Sequence, residues 1–263
     1  MAFRFPSCRA IHLRAKWIVP TFRLTLFLLL TACTAATSIP QRIPASPPTL
    51  EPAYMPPIRY LALGDSYTIG ESVAEQDRWS NQLTNLLSPH LGGNRRGVEV
   101  TFIARTGWTV DELWQGIQAS EVKPPYDLVS LLIGVNDQYR GYPVEGYRED
   151  FRFMLGKAIE FAGGDSKRVM VLSIPDWGVT PFAAGRNREQ IAAEIDAFNA
   201  VNLEETEKAG AHYIDITSIS RDAVNDPSLI AEDGLHPSSK MYAIWAEKVL
   251  PVALKILSSE KGE

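Results

Sequence analysis

Gly64-Asp65-Ser66 closes a short apolar run over residues 58–63, and Asp233-Gly234-Leu235-His236-Pro237 precedes the last helical segment. A serine hydroxyl is a weak nucleophile until a base takes its proton, so Ser66 matters chemically only if such a base can reach it. Beyond residue 33 the chain holds three histidines. His90 sits in Ser88-Pro89-His90-Leu91-Gly92, a loop after a helix, and His212 opens a strand, where a surface or packing role is the default. His236 remains. Asp233 lies three residues before it and can sit alongside in one loop. The carboxylate would accept from one ring nitrogen, fixing the tautomer and stabilising the imidazolium formed on proton transfer, while the other nitrogen faces Ser66. Each stretch also has a plainer reading. A serine in a strand-ending turn is more often a cap, and Asp-Gly-Leu-His-Pro also describes a turn before a helix.

Rigid elements must carry these residues. Residues 58–63 form a short, mostly apolar run with turn formers on both sides, the pattern of a parallel strand buried on both faces. Further strands are expected over 98–104, 127–133, 168–173 and 211–216. Apolar residues at helical spacing predict helices over 79–87 (Trp79, Leu83, Leu86, Leu87), 144–161 (Tyr147, Phe151, Leu155, Ala158) and 189–209 (Ile191, Ile195, Phe198). Gly92-Gly93-Asn94 breaks the first of these, and a final helix over 238–257 should bend at Pro251. Thr109 and Glu112 form a capping box for a helix to about residue 119. Strand and helix alternate five times, which predicts an α/β fold: a three-layer α/β/α sandwich with a five-stranded parallel sheet and right-handed crossovers. Open sheets of this kind bind ligands at the carboxyl ends of their strands. Ser66 follows the first strand, Gly107 the second and Asn136 the third, so all three belong to that edge. Segments 138–146 and 177–188 follow the third and fourth strands and should shape a pocket, with Tyr67, Trp108, Tyr139 and Trp177 as candidates either to line it or merely to pack the core.

Gly64-Asp65-Ser66, Gly107, Gly134-Val135-Asn136-Asp137 and Asp233-Gly234-Leu235-His236 resemble, in order, the four blocks of the SGNH, or GDSL, hydrolases. The resemblance spans nearly all of 58–250 and implies a flavodoxin-like sandwich with serine esterase activity and no cofactor or metal. It implies that Ser66 is the nucleophile, His236 the base and Asp233 its orienter. The oxyanion hole would consist of the Ser66 and Gly107 backbone N–H groups with the Asn136 side chain. Physical chemistry agrees with these types: glycine at 107 lets the backbone approach an oxygen closely, and an amide donates to an oxyanion without titrating. Asp65 and Asp137 are expected to be structural, holding their own turns. Tyr67 stands where the family's eponymous motif has leucine, a difference that bears on the pocket wall. The α/β-hydrolase elbow, Gly-x-Ser-x-Gly, is excluded by Thr68. Phosphate-loop and zincin motifs are absent from the sequence. The family spans lysophospholipases, thioesterases and carbohydrate deacetylases. Carboxylic esters with short acyl or acetyl groups are the expected substrates, small-molecule or carbohydrate. Thioesterase or lysophospholipase activity and a tethered, non-catalytic ligand-binding role are the alternatives.

The start of the chain carries its own signal. Arg4, Arg9, Arg14, Lys16 and Arg23 occur without an acidic residue in the first 23 positions, followed by the apolar run 24–30 and then Thr31-Ala32-Cys33. This is the pattern of a signal peptide, 1–32, and the run is too short for the roughly 20 residues of a membrane span. Leu30-Thr31-Ala32-Cys33 resembles the bacterial lipobox, which implies lipid attachment at Cys33 and membrane anchoring; the alternative is an ordinary cleaved leader with Cys33 incidental. Thr34 after the cysteine resembles an outer-membrane sorting signal, placing the catalytic domain in the periplasm or at the cell surface. The proline-rich stretch 33–57 reads as a tether and 58–263 as the hydrolase domain. The other cysteine, Cys8, lies in the leader, so the exported domain has no thiol for a disulfide or a metal. Removing the leader's five basic residues takes the formal net charge from −5 to −10, which argues against nucleic acid as a partner.

Overall fold

The computed structural model describes residues 55–91 and 97–259. The expected signal peptide, the lipidation site Cys33, the tether as far as residue 54 and the Gly92-Gly93-Asn94 break lie outside the described residues. The sheet is built from β1 (Ile58–Gly64), β2 (Val98–Ala104), β3 (Leu128–Leu132), β4 (Val169–Leu172) and β5 (His212–Ile214). Its order is β2-β1-β3-β4-β5 and every pairing is parallel. β3 and β4 are buried at every position and β1 at all but one, because helices cover both faces and leave no solvated side.

In chain order the helices are α1 (Ser66–Ile69), α2 (Trp79–Leu87), α3 (Val110–Gln118), α4 (Val135–Tyr139), α5 (Val144–Phe161), α6 (Arg188–Ala209), α7 (Thr217–Arg221) and α8 (Ser239–Ser259). α2 and α8 pack together on one face; α3, α5 and α6 form the other layer. The division follows from the strand order: β1 steps outward to β2, whereas every later crossover steps the opposite way, so right-handed connections put α2 opposite α3, α5 and α6. On the α2 face, Tyr60 meets the edge of the Trp79 ring and its hydroxyl donates to Ser130 Oγ at 2.8 Å. On the opposite face, Tyr147 packs against Phe198 with ring centroids 4.4 Å apart and donates to Asn202 Oδ1 at 2.7 Å. The apolar stripes expected on α2, α5 and α6 are buried, apart from a half-buried Leu86.

The register decides where chemistry can occur. Gly64 pairs with Ala104 on one side and Leu132 on the other, so β1, β2 and β3 end level with one another. The sheet changes direction between β1 and β3, and the crevice at such a switch point is where ligands bind. Three short helices escape the periodicity argument: α1, α4 and α7 have four or five residues each, too few to display a helical repeat. β5 has only three residues, fewer than its apolar run suggests. α8 continues through Pro251. Among the described residues no helix is long and apolar enough to cross a membrane.

Candidate active site

β1 delivers its last residue directly into a turn capped by Asp65. The Asp65 Oδ1 accepts from the Tyr67 N–H at 3.0 Å and starts α1 at Ser66. Ser66 is therefore the first residue of a helix, whose N–H has no helical acceptor and lies at the positive end of the first turn. Its side chain is almost wholly enclosed, and it lines a cavity of about 140 Å³ with Tyr67, Val135, Asn136, Tyr139, Trp177, Phe182, Leu235 and His236.

His236 reaches that cavity from the loop before α8. Its Nδ1 lies 2.5 Å from Asp233 Oδ2, and the other carboxylate oxygen accepts from the backbone N–H groups of Leu235 and His236 at 2.9 and 3.0 Å. Because the carboxylate can only accept, Nδ1 is the ring nitrogen that donates to it, and Nε2 is the one left for the cavity. Partial burial pushes the Asp233 carboxyl upward, but the bonds from His236, from the Ser72 hydroxyl (2.7 Å) and from the two backbone N–H groups outweigh it. They hold the group far below the usual carboxylate range. The Tyr67 ring flanks the imidazole, centroid to centroid 5.4 Å.

Asn136 sits in the first turn of α4 after Gly134, whose φ of 119° suits glycine and whose Cβ would strike the Tyr147 hydroxyl. Asn136 Nδ2 donates to the Trp108 carbonyl at 2.8 Å. An amide nitrogen carries two protons, so this bond orients the group and leaves a second donor for the cavity. Gly107 has φ 84°, and no atom beyond its two chain neighbours lies within 4 Å of where a Cβ would stand. The open space is what close approach of another molecule to its backbone requires. Gly107 is not among the residues lining the cavity; its loop is joined to Asn136 through Trp108, and its carbonyl accepts from Arg140 Nη2 at 2.6 Å.

Arg140 also pairs with Glu112 at 2.9 Å, the residue that closes the expected capping box by accepting from the Thr109 N–H. Trp108 takes the core alternative: its ring packs over Gly116 and against the core and does not line the cavity. Tyr67, Tyr139 and Trp177 do line it, and segments 138–146 and 177–188 reach it through Tyr139 and through Trp177 and Phe182 respectively. Trp177 is held by Gln138, which accepts from its indole N–H at 2.8 Å and in turn donates to Glu194 at 2.7 Å. Arg186 lies over the Tyr139, Trp177 and Phe182 rings. Beyond that wall a second cleft of about 300 Å³ shares Tyr139 and Trp177 but is otherwise mainly polar, with Gln138, Asn187, Gln190 and Glu194.

Asp65 and Asp137 are both buried beneath these loops. Asp65 holds its own turn as expected; Asp137 bonds its own backbone and also reaches across to the Val110 N–H at the start of α3, 3.4 Å away. Each leaves its Oδ2 without a partner. Burial pushes Asp65 up to about 8, with Asp137 adding to the rise, and Asp137 up to about 7. The remaining histidines stay apart from the cavity, His212 bonding the Lys167 carbonyl at 3.0 Å and His90 lying exposed after α2. Sequence reasoning passed over Ser72 and Arg140, since neither stands in a recognisable motif, and over Phe182 and Leu235.

The profile of the GDSL-like lipase/acylhydrolase family matches residues 62–244, from within β1 into α8. The chain belongs to this family. It is accordingly a hydrolase of ester bonds, and its all-parallel five-stranded sheet between helical layers is the fold of solved members. A lipolytic protein of the G-D-S-L family from Desulfitobacterium hafniense superposes with a TM-score of 0.58 at 17% identity, over 74% of this chain and 98% of the other. A psychrotrophic esterase from Pseudoalteromonas sp. gives 0.58 at 16%, over 76% and 98%. An acetylxylan esterase from Geobacillus stearothermophilus gives 0.58 at 19%, over 74% and 94%. No curated protein sequence matches the chain.

Proposed function

We propose that this protein cleaves short-chain carboxylic esters through an acyl-enzyme on Ser66. The observation that carries the reading is that Ser66 and Asn136, from the ends of β1 and β3, and His236, from the loop before α8, line one cavity while Asp233 holds His236 Nδ1 at 2.5 Å. In the first step the Ser66 Oγ attacks the ester carbonyl as His236 Nε2 takes its proton. The carbonyl oxygen gains negative charge and is met by the N–H groups of Ser66 and Gly107 and the free amide proton of Asn136. His236 then gives its proton to the leaving alkoxide, and the C–O bond breaks to release the alcohol. In the second step His236 deprotonates a water that attacks the acyl-serine, and its proton returns to Ser66 as the acid leaves. Asp233 stays ionised throughout and stabilises the imidazolium.

Cavity size supports a small acyl group. A site of about 140 Å³ is close to the roughly 150 Å³ that accommodates benzene, and Tyr139, Trp177 and Phe182 line it beside the opening to solvent. The acyl group would occupy this apolar cavity, and the alcohol portion would extend toward the larger polar cleft beyond Tyr139 and Trp177. The leader supports export and lipid anchoring at Cys33, with the tether holding the hydrolase clear of a membrane. The test is turnover of p-nitrophenyl esters of increasing acyl length by wild type and Ser66→Ala. Acetyl to butyryl esters should be the best substrates and the variant inactive. Turnover retained in Ser66→Ala, or a preference for long chains, would overturn the assignment or its specificity respectively.

A further inference from the structure

Directly after α1 the chain makes a feature that the proposed chemistry does not use. Gly70 caps the helix in the left-handed region, and two residues later Ser72 has φ 66°, alone among the described non-glycine residues in having positive φ. L residues adopt that conformation rarely and at a cost in free energy, and such residues cluster where function over-determines the backbone. The same two-residue segment touches three of the loops that build the site. The Glu71 N–H donates to the Ser66 carbonyl at 3.0 Å, the Glu71 carboxylate accepts from the Thr106 hydroxyl, and the Ser72 hydroxyl donates to Asp233 Oδ2 at 2.7 Å. Thr106 immediately precedes Gly107, and Asp233 Oδ2 is the atom that accepts from His236 Nδ1.

We infer that Glu71 and Ser72 are a positioning clamp, tying the Ser66 turn at once to the Gly107 loop and to the Asp233–His236 pair. The inference rests on the proposed catalytic roles of those residues and adds two that no sequence block contains. Its two halves act differently. Ser72 draws charge from Asp233, so removing its hydroxyl leaves a more basic carboxylate. The two backbone N–H groups on Oδ1 still hold that carboxylate in place. The His236 imidazolium is then better stabilised and its titration moves upward. Glu71 acts on the Gly107 loop and leaves the titration alone.

The test uses Ser72→Ala, Ser72→Gly, Glu71→Ala and Glu71→Gln in the full-length protein. Both Ser72 variants should move the His236 imidazole titration, followed by NMR, and the acid limb of kcat/KM upward by about half a pH unit, the effect of partial loss of a charge-assisted hydrogen bond. In both, kcat for p-nitrophenyl acetate should fall roughly three- to tenfold with KM nearly unchanged. Ser72→Gly relieves the backbone and should unfold at higher temperature than Ser72→Ala. Equal kinetic defects in two variants of unequal stability separate the hydroxyl from the fold. Glu71→Ala should lower kcat without moving the acid limb, and Glu71→Gln, which still accepts from Thr106, should restore most of it. An unmoved His236 titration in Ser72→Ala, or wild-type kcat in Ser72→Gly, overturns the clamp. The NMR titration requires no turnover, so an inactive wild type would refute the esterase reading while still deciding the clamp.

Discussion

Asp65→Asn should make the protein's stability less sensitive to pH. Asp65 is fully buried, with one oxygen on the Tyr67 N–H and the other unpartnered, and its carboxyl is raised from 3.8 to about 8. A folded-state value above the unfolded one means that the native state keeps a proton which the unfolded chain releases. The resulting stability is complete below about pH 4 and is lost as pH rises toward 8. Between pH 5 and 7 the unfolded chain is ionised at this position and the folded protein is not, a difference of one proton. Linkage then removes about 1.4 kcal/mol per pH unit, or close to 3 kcal/mol over that interval. In Asp65→Asn the side-chain oxygen still accepts from Tyr67 but nothing titrates, so this component of the slope vanishes. Urea unfolding at pH 5, 6 and 7 measures it directly: the difference in unfolding free energy between variant and wild type should grow by about 1.4 kcal/mol per pH unit in the variant's favour. Parallel pH profiles would refute the reasoning, since they would mean that Asp65 is ionised in the native state.

Other outcomes follow from the geometry. Asn136→Ala removes one oxyanion donor together with the tie to the Trp108 carbonyl and should lower kcat about a hundredfold, roughly 3 kcal/mol, with KM little changed. His236→Ala should abolish turnover of p-nitrophenyl acetate, whereas Asp233→Ala should lose less because water or a backbone carbonyl can still orient the ring. Gly107→Ala meets no steric clash, since the space around its Cβ is open, so its cost in stability is the roughly 1–2 kcal/mol of a left-handed L residue. Its cost in kcat should be larger if the Gly107 N–H meets the oxyanion; circular dichroism melts beside kinetics separate the two.

The architecture was legible because each strand is a short, largely apolar run and each long helix shows its stripe. Tyr147, Phe151, Leu155 and Ala158 point inward as their spacing requires. The meeting of Ser66 and Asn136 was legible for a related reason: residues just past parallel strands share an edge whatever the strand order. His236, in the loop before α8, was reached by elimination among the histidines and by Asp233 three residues before it. What could not be read were the contacts that lock the edge together. Ser72 and Arg140 act through bonds to residues 161 and 28 to 33 positions away, and no local pattern encodes such partners. The further bond of Asp137 to the Val110 N–H, 27 positions away, was hidden for the same reason. For Trp108 residue type left pocket wall and core both open, and only the structure, with the ring over Gly116 and against the core, decides between them.

The central claim is that Ser66 is the nucleophile, and an active-site-directed phosphonylating probe tests it most directly. Incubation of the intact protein with a fluorophosphonate, followed by peptide mass spectrometry, should show one equivalent of adduct on the peptide containing Ser66, with loss of esterase activity in step and no adduct in Ser66→Ala. An active enzyme that stays unlabelled at Ser66, or that carries its adduct on another residue, would contradict the account.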